Sequence, residues 1–272
     1  MSNDSNINPV GKTALCVSFL RMRDAQSALP VGQDTLAHRF SSKNTMAEFG
    51  QFLSEINAQN NLAARHTLID NQLKNILSET PDANIISIGS GLETRAFRLK
   101  GGNWYEVDDA AVIEYKNKSL PESECTNPLY RMPCNFAEGD LENVLKKIPP
   151  SSTNVFVIEG VFYYLTPEEL GETLSLMQAH SPYHRLICDQ ITREFAQKFS
   201  ASFNKKIAEL GANLQHESDI NLIKFGYQAL YGESVTLFAA AAKKNWIKQF
   251  IVRFFLPSLR DGYTVQQFSI LG

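Results

Sequence analysis

The stretch NIISIGSGLETRAFRL, residues 84–99, decides the fold. Its first residues, Asn84 to Ile88, form a short isoleucine-rich run of the kind that fills a buried strand. Gly89 and Gly91 close that run. Glycine lets a chain turn sharply and lets a ligand approach the backbone, so a strand, a tight turn and then a helix are expected here. In an open parallel sheet, ligands bind beyond the carboxyl ends of the strands, where the strand order reverses. The two glycines stand at such a carboxyl end.

Beyond this stretch, short apolar runs alternate with helical segments: NWYEVD (103–108), LYRMPC (129–134), NVFVIEG (154–160) and RLICDQI (185–191). That alternation predicts βαβ units and a mostly parallel sheet with helices on both faces, the α/β class. Before it, the first eighty residues read as helices; Leu62, Ile69, Leu73 and Ile76 recur at helical spacing. In LTPEEL (165–170), Thr166 offers an N-cap, Pro167 the first helical residue and Glu169 the reciprocal partner of a capping box. A polar helical stretch from about Arg193 to Leu210 reads as an insertion after the fifth strand, and GYTVQQFSILG (262–272) as a final strand. Residues 217–258 show no decisive period.

Composition narrows the classes. A chain of 272 residues, 43% hydrophobic and 20% charged, suits one large domain, and no linker or repeat divides it. The net charge of -3 weighs against nucleic acid as the main partner. No apolar run approaches the ~18 residues that span a bilayer, so no membrane partner is expected. The N-terminus lacks a signal peptide's basic-then-apolar order, and Cys16, Cys125, Cys134 and Cys188 are scattered, which fits a reducing cytoplasm. Three further motifs are set aside. GKT at 11–13 lacks the upstream glycine of a phosphate loop, where Asn6 stands. His180 and His184 are separated by Pro182 and read as surface histidines, so no metal is expected. AAAAKKNW (239–246) reads as a good helix former and no more.

Four residues indicate the ligand. A dinucleotide loop wants a third glycine where Thr94 stands, which tilts the choice away from NAD or FAD. An acid at the tip of the second strand accepts hydrogen bonds from ribose hydroxyls; Asp108 is the first choice and Glu106, on the same side of the strand, the second. Arg65 shares the apolar face of Leu62 and Ile69, so it needs a carboxylate, either an internal acid or a ligand's. Glu159 is the only charge in its apolar run, and a cationic ammonium or sulfonium would offset its burial; a structural carboxylate is the alternative. A ribose, a carboxylate and no phosphate describe S-adenosylmethionine.

In order along the chain, GSGLETRAFRL (89–99), YEVD (105–108), PCNFAEGDL (133–141) and EGVFYYLTPEEL (159–170) resemble the leucine carboxyl methyltransferase family, above all its bacterial polyketide O-methyltransferase branch. TALCVSFLRMRDA (13–25) and AARHTLIDNQL (63–73) are similar to the family's N-terminal helices. The resemblance runs from about residue 9 to 192. It implies a Rossmann-like S-adenosylmethionine methyltransferase fold in a single domain over 1–272. That domain would comprise a helical N-terminal lid (1–80), a cofactor-binding core (84–192), and an insertion with C-terminal strands (193–272).

By the same resemblance, Arg65 binds the methionine carboxylate, Gly89 and Gly91 pass under the amino-acid end, and Asp108 holds the ribose. Glu159 lies near the ammonium or sulfonium. Asn135 and Phe136 meet the adenine, with Asn135 in place of the family's usual Asp and Asp140 as the fallback. Glu93 likewise replaces an Asp. Tyr164, at the mouth of the methyl-transfer site, is the catalytic candidate. The implied reaction is methylation of a carboxylate or hydroxyl on a small molecule or carrier-bound acyl group, leaving S-adenosylhomocysteine. Two alternatives stay open at this point: a degenerate relative that binds or regulates, and a nicotinamide oxidoreductase. Oligomeric state is not legible.

Overall fold

The computed structural model describes residues 9–212 and 220–270. Helices α1 (Pro9–Ala25), α2 (Lys43–Phe49) and α3 (Ile56–Glu79) precede the sheet. Then follow β1 (Asn84–Ile88), α4 (Arg95–Arg98), β2 (Asn103–Asp108), α5 (Ala110–Ser119), β3 (Leu129–Pro133), α6 (Leu141–Leu145) and β4 (Asn154–Ile158). The remainder comprises α7 (Pro167–His180), β5 (His184–Ile191), α8 (Arg193–Phe199), α9 (Ala201–Glu209), β6 (Tyr227–Ser234), α10 (Val235–Ala242), α11 (Trp246–Phe255), α12 (Pro257–Arg260) and β7 (Tyr263–Ile270).

The seven strands run in the order β3-β2-β1-β4-β5-β7-β6. The first five are parallel and β7 is antiparallel to both neighbours. The order reverses between β1 and β4, so a crevice opens at their carboxyl ends, the expected ligand position for such a sheet. The registers align those ends: Ile88 pairs with Val107 of β2, and Ile158 with Cys188 of β5. Strand alternation then divides the core. Ile85, Val155, Val157 and Ile187 face α3 and α10, while Ile86, Ile88, Phe156, Ile158 and Leu186 face α6 and α7. A third cluster packs α1, through Leu15, Phe19 and Leu20, against Phe40, Phe49, Phe52 and Ile207 of α9. The N-terminal helices and the insertion after β5 thus form one layer over the carboxyl edge.

The capping box at α7 is present: the Thr166 hydroxyl accepts from the Glu169 N–H, and the Glu169 side chain from the Thr166 N–H. A short 3-10 turn, Phe162–Tyr164, stands between β4 and that helix.

Three readings of the sequence need correction. Within 220–258 lie an edge strand, β6, the helices α10 and α11, and the start of α12; residues 217–219 are outside the described part. His184 is no surface histidine. It is buried, its ring nitrogens bonded to the Ser181 carbonyl at 2.6 Å and the Tyr227 hydroxyl at 2.9 Å. AAAAKKNW is not one helix either: α10 stops at Ala242, Lys244 takes a left-handed φ of 53°, and Trp246 opens α11. Thr166→Ala should cost about 1 kcal/mol, the ordinary worth of such a cap, read as a lowered urea midpoint with unchanged slope.

Candidate functional site

A cavity of about 530 Å3 lies at the carboxyl edge where the strand order reverses. Arg65, Gly89, Gly91, Asp108, Asn135, Phe136, Glu159 and Tyr164, the eight residues singled out from sequence, all line it. Its roof comes from α1 (Gly11, Thr13, Ala14, Val17, Arg21) and α9 (Phe203, Asn204, Ile207). Asp140 and Glu106, the second choices, do not line it. Glu106 is buried between Lys116 at 2.8 Å and Arg131 at 2.9 Å, an ion pair inside the fold.

The turn after β1 is shaped by its backbone. Gly89 has φ +66°, and a Cβ there would lie 2.4 Å from Val161 Cγ2, so only glycine fits. The Gly91 N–H donates to Asp108 Oδ2 at 2.5 Å, and the Asp109 N–H to Oδ1 at 2.8 Å. Burial nevertheless dominates and pushes the Asp108 carboxyl up to about 6; those two hydrogen bonds oppose the shift and do not cancel it.

Beneath the cavity lies a buried ion cluster. Arg65 Nε donates to Glu159 Oε1 at 2.9 Å, and its Nη1 to Asp189 Oδ2 at 3.1 Å and the Tyr263 hydroxyl at 3.2 Å. Its partners are therefore internal acids, the first of the two readings of this charge. Arg65 Nη2 has no hydrogen-bond partner among the described residues. The guanidinium rests on Gly160 (φ +70°), where a Cβ would stand 2.9 Å from Nη1.

Arg95 joins Asp70 (2.8 Å), Glu93 and Glu159 (2.5 Å), and Arg98 reaches Asp70 and Thr94. Thr94, in the place of a dinucleotide loop's third glycine, donates to Asp34 at 2.5 Å and ties the loop to the N-terminal segment. His66 sits among them, its ring nitrogens 2.7 Å from Arg95 Nη2 and Arg98 Nη2. Burial and the neighbouring Arg95 lower its pKa, which favours the neutral ring. Burial alone would raise the Glu159 carboxyl; Arg95 and Arg65 outweigh it and hold the group well below the usual range.

Sequence reasoning missed Asp189, His66, Arg95, Tyr163 and Tyr263. Asp189 had a usable signal, an acid near the end of an apolar strand like Glu159; the Tyr163 hydroxyl donates to it at 3.2 Å.

Among the described residues, three buried polar atoms on the cavity wall lack hydrogen-bond partners: Ser87 Oγ, Ser90 Oγ and Glu93 Oε1. Buried polar atoms are normally hydrogen-bonded, so this wall fits a polar ligand carrying both donors and acceptors.

The family model described as "Leucine carboxyl methyltransferase" matches residues 14–178, and the chain belongs to that family. It is an S-adenosylmethionine-dependent methyltransferase. The chain is 24% identical over 257 residues to the tetracenomycin polyketide synthesis O-methyltransferase TcmP of Streptomyces glaucescens, covering 91% of this chain and 92% of that protein. Among solved structures it resembles a DUF574 family protein from Streptomyces avermitilis, with a TM-score of 0.64 and 10% identity over 95% of this chain and 97% of that one. A protein from Thermobifida fusca superposes with a TM-score of 0.59 and 11% identity, covering 95% and 94% of the two chains. These two likenesses show the fold.

Arg95→Met leaves Asp70, Glu93 and Glu159 without their shared cation. Breaking a buried pair by removing one partner costs about 3–5 kcal/mol, and chemical denaturation should show a loss of that size. A loss below about 1 kcal/mol would show that the cluster is not what holds this edge together.

Proposed function

We propose that the enzyme methylates oxygen, a carboxylate or hydroxyl, on a small molecule or a carrier-bound acyl group. The observation that carries the cofactor side of this reading is the convergence of all eight candidate residues on one cavity at the reversal of strand order. S-adenosylmethionine, when bound, supplies a methyl group on an already activated sulfonium, leaving S-adenosylhomocysteine. Asp108, as a carboxylate, accepts from the two ribose hydroxyls, and the Gly89–Gly91 turn lets the backbone approach the amino-acid end.

Arg65 takes the ligand carboxylate through its free Nη2, while Glu159 and Asp189 fix the guanidinium from behind. Glu93 Oε1 and the Glu159 carboxylate present negative charge to the ammonium and sulfonium. Counted as ionised groups, the cluster holds five carboxylates (Asp34, Asp70, Glu93, Glu159, Asp189) against four guanidiniums (Arg21, Arg65, Arg95, Arg98). That excess of one negative charge complements a ligand of net positive charge. Asn135 and Phe136 offer an amide and an apolar face to the adenine.

Tyr163, Tyr164, Phe203 and Asn204 line the same cavity, and we assign the acceptor to this part of it. Burial raises the Tyr163 hydroxyl well above its ordinary value, and it raises Tyr164 too, so neither is a base at neutral pH. Tyr164 instead orients the acceptor as a hydrogen-bond donor. A carboxylate acceptor, already ionised, needs no base, and aligning it with the methyl group is worth about 7–11 kcal/mol of barrier. The likeness to an O-methyltransferase of polyketide synthesis supports an oxygen acceptor.

Calorimetric titration with S-adenosylhomocysteine between pH 5 and 8 tests the cofactor side. The carboxylate form of Asp108 binds the ribose, so affinity should be full above pH 6 and fall about tenfold per pH unit below it. Asp108→Asn should bind weakly with no such slope. An unchanged affinity and pH profile in that variant would remove Asp108 from the site.

A further inference from the structure

Helix α11 turns its apolar face outward. Trp246 is 73% exposed, Ile247 and Phe250 are each 54%, Phe254 64% and Phe255 66%. At about 100° per residue, Trp246, Phe250, Phe254, Ile247, Ile251 and Phe255 follow one another around half the helix circumference. Val252, on the far side, is the residue buried against the protein. A contiguous aromatic face of this kind marks an interaction site.

Charge indicates what it meets. From Val235 to Arg260 there is no Asp or Glu, while Lys243, Lys244, Lys248, Arg253 and Arg260 lie within that span of a chain whose net charge is -3. Lys248 borders the apolar arc beside Phe255, and Arg253 borders it beside Trp246. Lys243 pairs with Asp24 and Arg260 with Asp261, but Lys244 and Arg253 have no carboxylate partner among the described residues. Pairing this face with a second copy of itself would bring two cationic rims together with no acid on the segment to oppose them.

We propose that α11 lies in the surface of an anionic lipid bilayer, its aromatic arc among the acyl chains and its Lys and Arg rims at the headgroups. The pattern is that of an interfacial amphipathic helix: Trp, Phe and Ile on one face, Lys and Arg at its edges. Ten residues are too few to span, and no described helix of this chain is long and apolar enough to cross a membrane. The expectation of no membrane partner rested on spanning length, which a helix lying flat does not need.

The chain has two tryptophans, and Trp104 is fully buried, so Trp246 reports on this face. Vesicles of phosphatidylcholine alone and of an equal mixture with phosphatidylglycerol provide the test. Mixed vesicles should pellet the protein and shift the Trp246 emission to the blue, and raised salt should weaken both effects. The double variant F250S/F254S should lose both, with an unchanged circular dichroism spectrum and thermal midpoint. K244E/R253E should lose the preference for mixed over neutral vesicles. An emission unmoved by mixed vesicles would overturn the proposal, as would equal binding to neutral ones. So would a lipid-free dimer in which Trp246 is shielded from acrylamide, which assigns the face to a second copy.

Discussion

Arg95 is wholly buried and touches three acids that come from three parts of the chain: Asp70 of α3, Glu93 of the glycine turn, and Glu159 at the end of β4. Each of those carboxylates would be costly to bury alone, and each is tolerable because the same guanidinium answers it. This shared cation is the constraint on which the carboxyl edge depends. It ties α3 to the strands that carry the ligand turn, and Arg65, on α3 itself, repeats the arrangement through Glu159 and Asp189. The residues that shape the cavity are therefore held by ion pairs as well as by the apolar layers on either side of the sheet.

A floor of fixed charges suits methyl transfer. The reaction starts from a donor that is already activated, so what the protein adds is alignment and exclusion of water. Rigid guanidiniums and carboxylates below, with α1 and α9 above, are placed to supply both, and a carboxylate acceptor would require no group to change protonation during the step. Asp108 contrasts with Glu159: its desolvation is opposed by two backbone N–H groups, and among the described residues no arginine answers it, so its charge is conditional on pH near 6.

What was legible in the sequence follows from burial. β1, β2, β4 and β5 lie in the sheet interior, covered on both faces, so their sequences are short apolar runs that stand out from the helices between them. β6 is an edge strand exposed along most of its length, and nothing in YQALYGES marks it as a strand. α11 hid for the opposite reason, since its apolar residues face solvent and not a core. At the site, Arg65 and Glu159 announced themselves as charges in apolar surroundings. Their pairing with each other, and with Asp189, depends on the β4–β5 register and on how α3 crosses those strands, and neither is written locally. Thr94 was read for what it excludes, whereas in the fold it is a hydrogen-bonded link to Asp34.

Amide hydrogen exchange with and without S-adenosylhomocysteine measures most directly whether this edge is the cofactor site, because it reports which backbone segments a bound ligand closes. The account predicts slowed exchange at Gly89–Glu93, Asp109 and Gly160–Tyr164, with α10 and α11 unchanged. Unchanged exchange at the glycine turn and after β4, with protection arising elsewhere, would contradict it.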